Sequence, residues 1–504
     1  MERLSGLDAS FLYLETPSQV MNVAAIMQID PGTIPGGYSF EKIRGEMARR
    51  VKGLPIFRRK LADSLTNLDH PVWVEDEDFV IERHVHRIAI PSPGRIQEVA
   101  QMSSHLIGQE LDRKKPLWDL WVMEGMAQGR VALLLRMHHA SVDGATVADI
   151  LGQLATLSPE PPELDPELVA TTAGSAPRGE LAVGGAFNFF VHRPVAALRL
   201  IPKTVPVPFE WIKRVRSGDG MPAPFLAPRT RFNAPLTPRR SLALTQLPLA
   251  DVKRVKDHYG VKMNDVVLAM TGGALRDYLA EHDELPEEPL VGLVPVSVRG
   301  ADEGDLVVAG TNKVTGMFTR LPSLVADPVE RIRVAGIYAN QAKAHHQDVD
   351  PNMLRAFAEF APGNTLGALM RIYADRRLSV LHPPVFNTVI SNVAGPSFDM
   401  YFLGGKVESV YPLAPIFHGL GLNMTVFSAA GMLNVGILTC ADLTTDIWDL
   451  ASAFHAQLDL LTAAVDAEVA ATEVAERLDA AERAAAEAAE IEEIAVDLDG
   501  TDKP

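Results

Sequence analysis

The sequence predicts an α/β protein of two domains, joined by a proline-rich crossover linker and followed by a helical tail. Three observations carry that reading. Apolar, strand-like runs alternate with helix-like runs through residues 1–158 and again through 239–465. Between them, residues 159–238 hold 14 of the chain's 36 prolines, a density that sustained helix or sheet does not tolerate. Residues 466–504 are rich in Ala and Glu, as an exposed helix would be. The length, 504 residues, also exceeds what one ordinary core supports.

The elements follow in chain order. Residues 19–29 (Gln19 to Ile29) read as a strand. Ser39 to Val51 opens on a serine cap and reads as a helix. Ile96 to Leu111 is a second helix, Val131 to Met137 a short buried strand, and Thr146 to Leu157 a third helix. Within the linker, Phe209 to Arg216 sets Phe209, Trp211, Ile212 and Val215 beside Lys213, Arg214 and Arg216. That pattern fits a helix packed on a domain surface, or a membrane-interface foot. In the second domain Ser241 to Leu247 reads as a strand and Leu249 to Tyr259 as a helix stopped by Gly260. Asn264 is expected to cap a helix through about Leu279, with Asp265 at its positive end. Leu290 to Val298, Val385 to Ser391 and Met432 to Thr439 read as strands, and the tail as helix to about Ala495.

Composition excludes several classes. The net charge is −17, the reverse of the basic excess of a general nucleic-acid binder. Thirteen acidic and three basic residues lie in 466–504, so most of that charge belongs to the tail. The single cysteine, Cys440, excludes an intrachain disulfide and any cysteine-based zinc site, and fits a cytoplasmic protein. No run of about 18 apolar residues occurs, so no membrane-spanning helix is expected.

The feature richest in chemistry is His138-His139-Ala140-Ser141-Val142-Asp143-Gly144. A His-x-x-x-Asp spacing means little alone. With 14 His and 33 Asp it should occur roughly once by chance, and it occurs three times, at His139/Asp143, His346/Asp350 and His455/Asp459. Context separates them. His139 follows a buried strand and precedes a glycine-containing turn, where a rigidly held imidazole can meet substrate. His345-His346 reads as a solvated loop, and His455 and Asp459 as surface neighbours on a helix. His138-His139 could equally be a structural core pair. A metal site is disfavoured because adjacent strand residues point to opposite faces.

With Pro116-Leu117-Trp118 upstream, this segment resembles the bacterial wax ester synthase/diacylglycerol acyltransferase family, most closely its actinobacterial triacylglycerol-forming branch. Leu7-Asp8-Ala9-Ser10-Phe11, Asn264-Asp265, Pro295-Val296-Ser297-Val298-Arg299 and Ser391-Asn392-Val393-Ala394-Gly395-Pro396 extend the resemblance in order over about 1–460. Gly310-Thr311-Asn312 departs from the family's Gly-Asn, and the tail is not covered. The resemblance implies two domains like chloramphenicol acetyltransferase and condensation domains, with an active site in a tunnel between them.

It further implies transfer of a long-chain acyl group from acyl-CoA, as co-substrate, to diacylglycerol or a long-chain alcohol. No other cofactor, no metal and no nucleic acid are expected. His139 is then the general base, since a neutral imidazole can take the proton of an attacking hydroxyl. His138 shapes the site, Asp143 holds the loop through an ion pair with Arg299, and Asn264 donates to the oxyanion or acceptor. Gly144, Pro116, Trp118 and Asp265 are expected along the substrate path. A non-catalytic lipid-binding homologue is the remaining alternative. Peripheral contact with the inner membrane or lipid droplets would follow from lipid substrates.

Overall fold

The computed structural model describes residues 2–62, 70–142, 154–160, 221–297, 314–347, 363–396, 398–444 and 446–499. The Phe209–Arg216 helix, Asp143, Gly144, Arg299, the 310–312 element and Asp350 lie outside the described residues. So does most of the helix expected from Thr146, whose end, Ala155–Thr156, is strand.

Three sheets organise these residues. The largest has seven strands: β2 (Asn22–Asp30), β5 (Val85–Ala89), β6 (Trp118–Glu124), β7 (Val131–His138), β8 (Ala155–Thr156), β13 (Tyr401–Phe402) and β14 (Gly405–Leu413), in the order β5-β6-β7-β2-β14-β13-β8. The second has six: β9 (Arg240–Pro248), β10 (Val291–Ser297), β11 (Val314–Arg320), β12 (Thr388–Ala394), β15 (Leu422–Ala429) and β16 (Met432–Cys440), in the order β11-β10-β12-β15-β16-β9. A small sheet joins β1 (Glu2–Arg3), β3 (Arg59–Ala62) and β4 (Val72–Glu75). The helices are α1 (Gly6–Leu14), α2 (Phe40–Val51), α3 (Ile96–Ile107), α4 (Leu249–His258), α5 (Met263–Glu281), α6 (Pro328–Gln347), α7 (Gly363–Asp375) and α8 (Ile447–Asp499).

The domains are not consecutive in the sheets. The β13–β14 hairpin comes from the C-terminal half yet pairs antiparallel with β2, from Lys406 opposite Asp30 to Leu413 opposite Ala24. The two sheets therefore close on each other at β14 and β16. A Cβ on Gly436 would lie 2.3 Å from the Pro412 carbonyl oxygen, so only glycine fits that crossing. One apolar core spans both sheets: Ala24, Ile26, Ala132 and Leu134 meet Leu242, Leu244, Leu438 and Cys440 around α3. Cys440 is fully buried there, with no access for a nucleophilic role.

Local chemistry explains the helix ends. The Ser39 hydroxyl accepts the Lys42 N–H, which starts α2. Gly260, at φ +64°, follows the end of α4. At α5 the structure corrects the sequence reading. Lys262 takes the extended cap conformation and the Asp265 carboxylate accepts its N–H at 2.9 Å. Asn264 is the second helical residue, not the cap. A second correction concerns His345, which continues α6 rather than entering a loop. It is buried, and its Nδ1 accepts the Met221 N–H at 3.0 Å. The tail is one helix with the last element of the domain, α8, and its side chains from 466 to 488 are almost all exposed. Among the described residues, no helix is long and apolar enough to cross a membrane.

Candidate active site

The site forms where β7 ends. β7 alternates between two cores: Leu133, Leu135 and Met137 face α2, whereas Ala132 and Leu134 face α3. Arg136 and His138 continue the α3 side. Arg136 is buried and makes a two-pronged ion pair with Asp119 on the neighbouring strand, its Nε donating at 2.8 Å. The same guanidinium donates to the Leu106 carbonyl, which fixes the end of α3. A rigid strand thus delivers the two histidines.

Their backbones are clamped from both sides. The His138 N–H donates to the Leu117 carbonyl at 3.0 Å and the His139 N–H to the Met21 carbonyl at 2.7 Å. The chain then turns sharply, with the Ser141 N–H and hydroxyl both donating to the His138 carbonyl. Pro116-Leu117-Trp118 gains a role from this. Leu117 holds the histidine strand, while Trp118 is fully buried, donates its indole N–H to the Phe57 carbonyl and stacks on His84. Pro116 and Trp118 sit in scaffold and core, not on an open surface.

The two imidazoles differ. His138 is buried, and its Nδ1 accepts the Ala140 N–H at 3.0 Å. An accepting Nδ1 places the ring proton on Nε2, which faces the Glu15 carboxylate at 3.4 Å. His139 is only half-buried and lies flat against Phe11 of α1, ring centroids 4.0 Å apart and planes 17° apart. His138 is therefore locked into the scaffold and His139 presents an oriented ring beside it.

Sequence reasoning missed Glu15. It follows α1 directly and its carboxylate is almost fully enclosed. Beside His138 it accepts the Met21 N–H at 3.1 Å and an Arg113 guanidinium N–H at 2.7 Å. Burial works against its charge, but hydrogen bonding to His138 and to Arg113 outweighs that and lowers its pKa to about 2. Met21 thus joins the carboxylate to His139 through one residue's N–H and C=O. Nothing local in Glu15-Thr16-Pro17-Ser18 signals this, because the partners come from residues 21, 113 and 138. Phe11 did carry a signal, lying in the opening motif, but without a role.

Asn264 and Asp265 lie apart on α5 in the second sheet's layer, Asn264 half-buried and Asp265 buried under its cap bond. Ser391 to Ala394 run along β12, parallel to β15.

Comparison with known proteins places this geometry. The profile of the wax ester synthase/diacylglycerol acyltransferase catalytic domain matches residues 4–267, and that of the WS/DGAT C-terminal domain matches 310–462. The chain belongs to this family. A Mycobacterium tuberculosis protein named for diacylglycerol O-acyltransferase activity is 45% identical over 455 residues, covering 90% of this chain and 89% of its own. A second such protein from that organism is 31% identical, covering 94% of this chain and all of its own. Among solved structures, the wax ester synthase/diacylglycerol acyltransferase of Marinobacter aquaeolei VT8 matches at 26% identity with a TM-score of 0.65, over 92% of this chain and all of that one. The starter condensation domain of rhizomide synthetase, 15% identical with a TM-score of 0.52 over 92% of this chain and 94% of its own, shares the fold. The expected two-domain condensation-type architecture is thereby established for this WS/DGAT member.

Proposed function

We propose that this WS/DGAT protein transfers a long-chain acyl group from acyl-CoA to the free hydroxyl of diacylglycerol, forming triacylglycerol, with His139 as general base. The observation that carries the reading is the half-buried His139 imidazole at the end of a rigid strand, its backbone N–H held by the Met21 carbonyl and its ring stacked on Phe11.

The chemistry is as follows. His139 takes the hydroxyl proton as the oxygen attacks the thioester carbonyl carbon. The tetrahedral oxyanion collapses, the C–S bond breaks, and the CoA thiolate leaves and recovers the proton from His139. A thiolate leaves readily, so the step calls for neither an acyl-enzyme nor a metal, and acyl-CoA enters only as co-substrate. His138, Nε2–H toward Glu15, keeps the strand end in place. Asn264 is the assigned donor to the oxyanion or acceptor, with Asp265 fixing its helix. Asp143 and Arg299 are assigned as the ion pair closing the loop after the base, with Gly144 beside the substrate path.

The test is CoA release from long-chain acyl-CoA with diacylglycerol. Wild type should release CoA and form triacylglycerol, and His139→Ala should not. Equal rates for the two proteins would overturn the assignment. The likeness to the Marinobacter enzyme supports a second acceptor, a long-chain alcohol giving wax ester, and side-by-side kcat/KM values rank the two. Lipid substrates also imply a cytoplasmic enzyme working at the surface of the inner membrane or of lipid droplets.

A further inference from the structure

A cluster of exposed apolar side chains lies on one face of the C-terminal half. On α7, Leu369 and Ile372 are 61% and 53% exposed and share a stripe with Arg376. The turn after that helix carries Val380 and Leu381, the latter 76% exposed. Phe225 and Leu226 are exposed beside it, Phe225 meeting His382 edge-on at 5.5 Å. Single exposed leucines need no explanation, but six large apolar side chains on adjoining segments do.

This face is rigid. Arg229 donates to the carbonyls of Ser379, Val380 and His382, which straps the 221–229 segment to the turn. Tyr373 of α7 bonds His382 Nε2 at 2.7 Å. Phe225 is held at φ +66°, a left-handed conformation that a bulky side chain rarely adopts, and is half exposed. The face is also basic. Segments 221–229 and 363–382 hold four arginines and a single aspartate in a chain of net charge −17. Arg371, Arg376 and Arg377 are exposed around the apolar residues. Finally, it adjoins the site. α7 packs on α1, where a Cβ on Gly367 would lie 3.7 Å from the Tyr13 carbonyl oxygen, and α1 carries the Phe11 ring that stacks on His139.

We propose that this face docks the protein on an anionic phospholipid surface. Leu369, Ile372, Leu381 and Phe225 enter the headgroup–acyl boundary and Arg371, Arg376 and Arg377 meet the phosphates. The acidic remainder of the chain is repelled by such a surface, which orients α1 and the His139 end of the large sheet toward lipid-borne acceptor. The inference rests on the acyl-transfer reading for its purpose, but its chemistry stands on the patch alone.

Flotation with phosphatidylcholine vesicles, with and without phosphatidylglycerol, tests it on the full chain. Wild type should float with the anionic vesicles and much less with the neutral ones. Leu369→Ser/Ile372→Ser/Leu381→Ser should lower affinity by about tenfold per side chain that enters the boundary. Arg371→Gln/Arg376→Gln/Arg377→Gln should lower it by about fivefold per arginine, and only on anionic vesicles. A Val474→Ser/Leu478→Ser control on the exposed length of α8 should float like wild type. With unchanged melting temperatures, both patch variants should keep wild-type CoA release with a water-soluble short-chain alcohol and lose rate on vesicle-borne diacylglycerol.

Patch variants that float like wild type would overturn the proposal, as would a wild type that ignores anionic vesicles. So would a concentration-dependent dimer abolished by the serine substitutions, which would make the face a self-association surface. Absence of CoA release with every acceptor would instead sink the acyl-transfer reading, and flotation would still report on the surface.

Discussion

Two buried histidines are held by the same ring geometry in opposite company. His138 accepts the Ala140 N–H on Nδ1 and turns Nε2 toward the Glu15 carboxylate, itself tied to Arg113. His418 accepts the Leu236 N–H on Nδ1 and turns Nε2 toward the Ser18 hydroxyl at 3.2 Å. Its own N–H donates to Gln19, so it pins the start of the chain to the second domain. Burial, then the nearby Arg240 charge, lowers the His418 pKa to about 4. The first histidine faces a carboxylate beside the proposed base, whereas the second bonds a neutral hydroxyl at the domain junction, with the Arg240 charge nearby. The same packing solution therefore recurs beside the proposed base and at the domain junction, and what differs is the neighbours.

The largest effect expected from breaking this comparison is on rate. His139→Ala should lower kcat by about 10³-fold, within the range for a lost general base, and leave the melting temperature within a degree or so. His418→Asn should do the reverse, since its amide oxygen can still accept the Leu236 N–H while the ring is lost. Activity per folded molecule should stay near wild type. Steady-state kinetics beside thermal unfolding checks both, and a kcat collapse in His418→Asn would erase the division between the two sites.

Next comes Glu15. Glu15→Ala leaves the Met21 N–H without its acceptor, the buried His138 Nε2 without the carboxylate 3.4 Å away, and Arg113 without its ion pair. About 3 kcal/mol of stability should go, read by denaturant unfolding, with a fall in kcat as the histidine strand loosens. Glu15→Gln keeps an acceptor oxygen and should lose less than half as much. Ser18→Ala at the other histidine should lose under about 1 kcal/mol, because no charge is stranded.

Acid should separate the two networks in order. His418 and His84 bind their protons near pH 4 when folded and near 6.5 when unfolded, both lowered chiefly by burial. The unfolded chain takes up protons that the folded one refuses, so stability is complete above about pH 6.5 and falls toward pH 4. The loss is on the order of 2 kcal/mol per histidine after allowing for residual screening. Glu15 titrates from 4.5 unfolded to about 2 folded, so its contribution holds above about pH 4.5 and disappears between there and pH 2. His418→Asn should about halve the first decline, leaving the His84 share, and leave the second unchanged. Urea unfolding across pH 3–8 reads this, and an unchanged first decline would remove His418 from the account.

The strand that ends in His138-His139 was legible because a continuous apolar run followed by a turn has few other readings. The capped start of α2 and the Gly260 stop of α4 were legible for equally local reasons. What escaped was non-local. β14 alternates like any half-buried strand, and nothing in residues 405–413 states that its partner is β2 rather than a neighbour in its own half. Glu15 looks like one more polar loop residue until residues 21, 113 and 138 enclose it. His345 looked solvated because its partner, the Met221 N–H, lies 124 positions earlier.

The smallest effect bears on the second domain's share in the chemistry. Asn264 was read as helix cap or oxyanion donor, and the structure moves the cap bond to Asp265. Asp265→Ala should therefore lower stability by about 1 kcal/mol, the usual worth of a cap interaction. Asn264→Ala, a half-buried substitution inside the first turn, should barely move it. That separation frees Asn264 for a clean kinetic reading. A donor aimed at the developing oxyanion is worth about 3 kcal/mol of the barrier, so its loss should lower kcat by about 10²-fold at unchanged melting temperature. If kcat holds, the oxyanion is met by groups on the histidine side, and the second domain contributes shape, strand β14 and the lipid-facing α7 rather than a reacting group.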